Sequence, residues 1–257
     1  MMEVDGNGDS VANAPRWELQ LRGAEEDLEH LARYFTSGKQ HVFNAGPAFG
    51  YLIYAEDFDK CASSAEVLAA GTEHLSVISG VLRLVRRSTV ALHAGAVYWH
   101  RADGLRNTFL HVSPIENLVQ FGEASVVVTD CRGNAVHGPN SLPQTRKIAD
   151  LAQYDSAVAK AMRLMVVPDA NVWTGLARLT EVIEEDAGGW PVMEKKGWID
   201  GKRRDLFRRT ANSEGAGDLS RHGHKKFEQP PNPMTLDEAQ TFVRDLIRLW
   251  IDAKVVT

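Results

Sequence analysis

The sequence predicts an α+β chain in two parts, an N-terminal, mostly antiparallel sheet with helices on one face followed by a C-terminal all-helical bundle. Three observations carry this. Before about residue 140, apolar residues alternate with a period of two in several short runs. Beyond it they recur at spacings of three and four, and helix-start signals precede several of the runs. Between the two regimes stands "CRGNAVHGPNSLPQ", rich in Gly, Asn and Pro and carrying neither period. The expected division is a tail over 1–15, an α+β domain over 16–140 and a helical bundle over 141–257.

The opening "MMEVDGNGDSVANA" has no apolar period and reads as a disordered acidic tail; it lacks the basic start and apolar stretch of an export signal. Trp17, Leu19 and Leu21 alternate as in a strand with one buried face. In "AEEDLEHLARYF", Leu28, Leu31, Ala32 and Phe35 take helical spacing, with acids in the first turn where they complement the helix dipole. "HVFNAGPAFGYLIY" places two strand-forming runs around an Asn-Ala-Gly-Pro break, the pattern of an antiparallel turn. Ser63 and Glu66 have capping-box spacing. Val67, Gly71, Leu75, Ile78, Leu82 and Val85 then trace the longest N-terminal helix, closed by Arg83, Arg86 and Arg87. "AVYWHR" and "NTFLHV" flank Ala102-Asp103-Gly104 as a hairpin, and "NLVQF" and "ASVVVTD" flank Gly122-Glu123 as a second.

In the second part four helices are expected. The first runs over 155–166 with Val158, Ala161, Met162 and Met165 on one stripe. Trp173, Leu176, Leu179, Thr180 and Ile183 mark the second, which ends at Gly188-Gly189. Asp200 caps the third, "GKRRDLFRRTANS". Thr235 and Glu238 cap the last, which carries Leu236, Ala239, Val243, Leu246 and Trp250. Each has a single apolar stripe to bury, hence a bundle. Trp173 and Trp250 lie on such stripes, so the C-terminal tryptophans read as core.

Composition narrows the function. A hydrophobic share of 44% with 25% charged residues is that of a globular chain with a core. A net charge of −5 argues against a surface that is basic throughout, so any polyanion site must be local. Cys61 and Cys131 stand far apart in no metal-binding or redox spacing, which fits a reducing cytoplasm, and no run of eighteen apolar residues suggests a membrane span. There is no GxSxG elbow for nucleophilic catalysis. "NAGPAFG" lacks both the Lys-Ser/Thr of a phosphate loop and the GxGxxG order. Neither a cofactor nor a metal is expected: His222 and His224 with Asp218 and Glu228 have neither the HExxH nor the knuckle spacing.

The one charge asymmetry lies between Glu194 and Glu228, where ten Lys or Arg stand against six Asp or Glu, a net of +4. Such a segment suits a phosphate backbone, with Arg giving bidentate contacts and His a titratable group; it equally suits a solvated helix face. Asn212 reads either as a helix C-cap or as a group that fixes the tautomer of His222.

The stretch from Phe207 to Trp250, "FRRTANSEGAGDLSRHGHKKFEQPPNPMTLDEAQTFVRDLIRLW", is similar to the C-terminal part of a group of uncharacterised bacterial proteins that includes methylamine-utilisation accessory-like sequences. Its helix, basic loop with Arg-His, and final amphipathic helix also resemble the HEPN domains of abortive-infection and toxin systems. That resemblance implies an HEPN-like bundle, RNA as the ligand, a homodimer formed through the helical domain, and metal-independent RNA cleavage through an Arg-x4-6-His motif. Carried to this chain, Arg209 and Arg221 would hold phosphate, His222 would act as general acid/base and Asn212 would orient it, with Arg208, His224, Lys225 and Lys226 contacting nucleic acid.

The spacing departs from the motif: twelve residues separate Arg209 from His222, and Arg221 adjoins it. Arg106–His111, Arg132–His137 and Arg86 or Arg87 with His93 do have permitted spacings, but 19 arginines and nine histidines produce about two such matches by chance. Arg106 and His111 also fall in a hairpin, where side chains alternate faces. The alternative to a ribonuclease is a non-enzymatic protein-interaction or ligand-sensing module with a structural Arg-His loop.

Overall fold

The computed structural model describes residues 15–111, 143–213 and 229–255. It contains a five-stranded antiparallel sheet packed with helices, followed by a helical region, the α+β architecture read from the sequence. The described residues divide into two compact units, one of 15–76, 89–111 and 143, the other of 77–88, 144–213 and 229–255.

In the first unit, β1 (Arg16–Arg22), α1 (Glu25–Tyr34), β2 (Gln40–Asn44), β3 (Tyr51–Ala55), a 3-10 turn (Glu56–Lys60), the first half of α2 (Ser64–Arg86), β4 (His93–His100) and β5 (Arg106–Phe109) follow in order. The strand order is β2-β3-β1-β4-β5. β1 lies in the middle, with a neighbour on each edge: Leu19 pairs with Ile53 of β3 and with Val97 of β4. Its alternating Trp17, Leu19 and Leu21 are all buried, but so is Glu18, so the single buried face expected from the alternation is not what the strand has. A register shift between Leu19 and Leu21 bulges β1 at Gln20. The bulged side chain is put to use, donating to the Phe49 carbonyl at 2.9 Å and accepting from the Ala96 amide.

One sheet face carries Leu19, against which Gly71 of α2 sits so closely that a Cβ there would collide with the leucine side chain. The other face buries Leu52, Ala96 and Tyr98 beneath Phe43, Ala45 and Phe49. The start of α2 is held by the capping pair displaced by one residue: the Glu66 amide donates to Ser63 Oγ at 3.3 Å, and the Glu66 carboxylate accepts from the Ala62 amide at 2.8 Å. The expected second hairpin, "NLVQF" and "ASVVVTD", lies outside the described residues, as does the N-terminal tail through residue 14.

In the second unit stand the end of α2 and α3 (Gln144–Ala152), α4 (Ser156–Leu164), α5 (Trp173–Ala187), α6 (Trp190–Lys195), α7 (Gly201–Ala211) and α8 (Leu236–Val255). Among the described residues this unit has six helices besides the end of α2, where four were expected. α3 has only Ile148, Ala149 and Ala152 as an apolar stripe and buries Arg146 besides; α6 is six residues long, below the length at which a period is legible.

From Ile78 to Leu84, α2 is enclosed on almost every side, and Val81, Leu82 and Leu84 are all within 1% of full burial. Such a helix is apolar all round. That is why α2 reaches the length and apolarity of a membrane span, with half of its most apolar stretch buried inside the fold. It crosses α4 at Gly80, where the Met162 backbone takes the place of a side chain. Arg83 donates to the Met165 carbonyl at 2.6 Å, capping the end of α4, and burial pulls the pKa of its guanidinium down. α8 begins with the expected capping box, Glu238 amide to Thr235 Oγ1 at 3.2 Å and Thr235 amide to the Glu238 carboxylate at 2.8 Å.

Candidate functional site

Within the helical unit a cleft of about 200 Å³ opens between α5 and α7. Helical spacing builds both walls. Ala177, Thr180, Glu181 and Glu184 form one stripe of α5, and Arg204, Phe207, Arg208 and Ala211 form one stripe of α7. Trp190 and Asn212 complete the lining.

Trp190 is placed by the turn that ends α5. Gly188 and Gly189 take φ of 86° and 100°, which a side chain resists, and their amides bond back to Glu185 and Glu184. The chain thereby re-enters α6 at once, and Trp190 is buried. α7 starts at Asp200, whose carboxylate accepts from the Lys202 amide at 3.3 Å, as the sequence led one to expect.

Arg204 lays its guanidinium over the Trp190 ring, 4.6 Å from the centroid. Its Nε–H is buried and has no acceptor among the described residues, and Asp205 approaches only to 3.9 Å. Arg208, exposed at the rim, has neither an ion pair nor a side-chain hydrogen bond among the described residues. Opposite them the Glu184 carboxylate is half-buried and equally without a partner among those residues. The cleft therefore sets two cationic forks and the Glu184 carboxylate around one aromatic floor, with Glu181 alongside.

Of the residues singled out from the sequence, Arg208 and Asn212 line this cleft. Arg209 is exposed on α7 beside them and outside the lining. Arg221, His222, His224, Lys225 and Lys226 lie outside the described residues. Asn212 is buried and is the C-cap of α7: its amide Nδ2 donates to the Arg208 carbonyl at 2.7 Å. It does so at φ −106°, not in the left-handed conformation that its residue type suggested.

Sequence reasoning did not single out Arg204, Glu181 or Glu184, and it read Trp190 as core, where it is indeed buried. The available signals were the i,i+4 pair of arginines on α7 and the Gly-Gly-Trp turn after α5; the matching acidic stripe required knowing which face of α5 meets α7.

Elsewhere, Arg106 of the motif-like pair Arg106–His111 is committed to structure. Its Nε donates to Glu18 at 2.7 Å, and Arg16 Nε bonds the other oxygen of that fully buried carboxylate at 3.1 Å. His100 Nδ1 stands 3.6 Å from the same group, too far for a hydrogen bond. Asp57 and Gln40 bond the two nitrogens of His74, at 2.9 and 2.8 Å, tying the 3-10 turn and β2 to α2. The first unit also holds an open groove of about 650 Å³ whose walls include Gly46, Pro47 and Gly50 of the "NAGPAFG" loop together with Leu21, Leu28 and Tyr51. Among the described residues no cluster of three or more His, Cys, Asp or Glu is placed to hold a metal ion. Comparison of the chain with protein-family models, curated proteins and solved structures gives no match.

Proposed function

We propose that the helical unit binds RNA through the arginine face of α7. Arg208, at the rim of the α5–α7 cleft and without a carboxylate partner among the described residues, carries this reading, with the exposed Arg209 beside it. An exposed guanidinium with no carboxylate partner among the described residues is suited to a phosphate, which it meets bidentately. Arg203 and Lys202 extend the same exposed basic helix.

Turnover would ask more of the site. His222 would move the proton, Arg209 and Arg221 would steady the phosphate, and Asn212 would orient the imidazole. The Asn212 amide is already engaged with the Arg208 carbonyl, which favours binding without cleavage. The second reading, a ligand-sensing or interaction module that does not touch RNA, draws its support from the groove in the first unit.

The test is fluorescence anisotropy of a labelled mixed pool of single-stranded RNA with the full chain in EDTA, followed by a gel of the same samples. Binding in the micromolar range at low salt, weakened about tenfold or more in Arg208→Ala/Arg209→Ala, is the expected outcome. Absence of binding, or binding indifferent to that double substitution, overturns the proposal. Cleavage products that vanish in His222→Ala would add catalysis to it.

A further inference from the structure

We infer that the α5–α7 cleft is a pocket for one unpaired guanine base, an inference that rests on the RNA reading above and names what that site selects. The starting point is the composition of the walls. Arg204 and Arg208 face Glu181 and Glu184 across about 200 Å³, less than drug-sized ligands occupy and enough for a single planar base. A phosphate seated inside would meet carboxylates. A neutral ring with an acceptor edge and a donor edge would satisfy both walls.

The inner arginine is held as a reader. Its guanidinium plane is fixed against Trp190 at 4.6 Å; the Nε–H is buried, and the two terminal nitrogens, with Asp205 no nearer than 3.9 Å and no side-chain hydrogen bond among the described residues, are the part of the fork a ligand can meet. A fixed guanidinium fork matches two adjacent acceptors, which guanine presents as O6 and N7. On the other wall the Glu184 carboxylate, half-buried and with no partner among the described residues, is an acceptor only. It matches two adjacent donors, which guanine presents as N1–H and the N2 amino group.

The other bases fail one wall or the other. Adenine turns its N1 acceptor toward a carboxylate that accepts its N6 amino group, and cytosine does the same with N3. Uracil offers a single N–H between two carbonyls. Arg208 at the rim is left for the phosphate of the same nucleotide, as the RNA reading requires.

The experiment uses labelled twelve-nucleotide oligoadenylates carrying one central G, C, U or A, with inosine and 7-deazaguanosine as further central residues. Affinities are measured by anisotropy with the full chain. The G oligomer is expected to bind about tenfold more tightly than the others. Inosine, which lacks the N2 amino group, and 7-deazaguanosine, which lacks N7, should each lose a large part of that gain. In Glu184→Gln the gap between G and inosine should close, because the lost amino group and the lost carboxylate oxygen are one interaction.

Equal binding of all central bases that still depends on Arg208 and Arg209 would overturn the guanine pocket and leave RNA binding standing. So would preference for another base. Failure of every oligomer to bind would remove both. If Glu184→Gln does not fold, the inosine and 7-deazaguanosine oligomers decide the matter on the unsubstituted chain.

Discussion

Gly80→Ala is the sharpest test of the helical unit's packing. A Cβ built on Gly80 falls 2.6 Å from the carbonyl carbon and 2.8 Å from the Cα of Met162, with the carbonyl oxygen closer still. Carbon atoms in contact prefer about 3.5–4.0 Å, so α4 must retreat from α2 by roughly 1 Å. The obstacle is backbone, which has no rotamer with which to escape. Overpacking of this kind costs about 1–3 kcal/mol, and a rigid neighbour puts Gly80 at the upper end. Alanine in a helix interior returns about 1 kcal/mol by propensity. The net expectation is a loss of about 2 kcal/mol, or a fall in Tm of about 4–8 °C for a chain of this size. Urea unfolding followed by far-UV circular dichroism measures it. The control is Gly201→Ala on α7, where the new methyl meets only the flexible end of Glu194 and little change is expected. A Gly80→Ala chain as stable as the parent would refute the close crossing of α2 and α4.

Lys254 bridges Asp155 at 2.6 Å and Asp186 at 2.7 Å, so Lys254→Met should cost about 1 kcal/mol near neutral pH, given the partial exposure of all three groups. Burial pushes the Asp155 carboxyl up, but the Lys254 ammonium and the Val158 and Ala157 amides outweigh it and leave its pKa below the usual value of 3.8. Burial likewise pulls Lys254 down, and its two carboxylate partners leave its pKa above 10.5. The difference between the parent and Lys254→Met should therefore be flat between those values, shrinking as pH falls through the depressed carboxyl pKa and again as it rises through the elevated ammonium pKa; unfolding curves across pH check this. Glu18→Ala leaves Arg16 and Arg106 without their shared buried anion and should destabilise the first unit by about 3–5 kcal/mol, read from denaturant midpoints. Asn212→Ala removes a cap bond of 2.7 Å and should cost about 1 kcal/mol in a thermal melt.

The parts of the fold that were legible in the sequence are those in which one segment decides its own state. Alternation in Trp17–Leu21, the boxes at Ser63/Glu66 and Thr235/Glu238, the Asp200 cap and the glycine pair after α5 act within a few residues, and each stands where the pattern places it. The parts that were not legible depend on partners distant in the chain. The buried Glu18 draws its second arginine, Arg106, from β5, 88 positions away, and His74 meets Asp57 and Gln40 only after β2, the 3-10 turn and α2 assemble.

The candidate site follows the same division. Its basic helix was visible as a charge excess, and Arg208 and Asn212 were picked out from it. Arg204 does not stand out in the sequence because its charge is like that of its neighbours; only the Trp190 ring beneath it and the acids of α5 opposite distinguish it.

The most direct measurement of the RNA-binding claim is the salt dependence of affinity for one single-stranded RNA, compared between the parent chain and Arg208→Ala. If Arg208 meets a phosphate, the plot of log K against log salt for the substituted chain should be shallower by about 0.7, the counterion release of one single-strand phosphate contact. Identical slopes, or no measurable affinity in either chain at low salt, would contradict it.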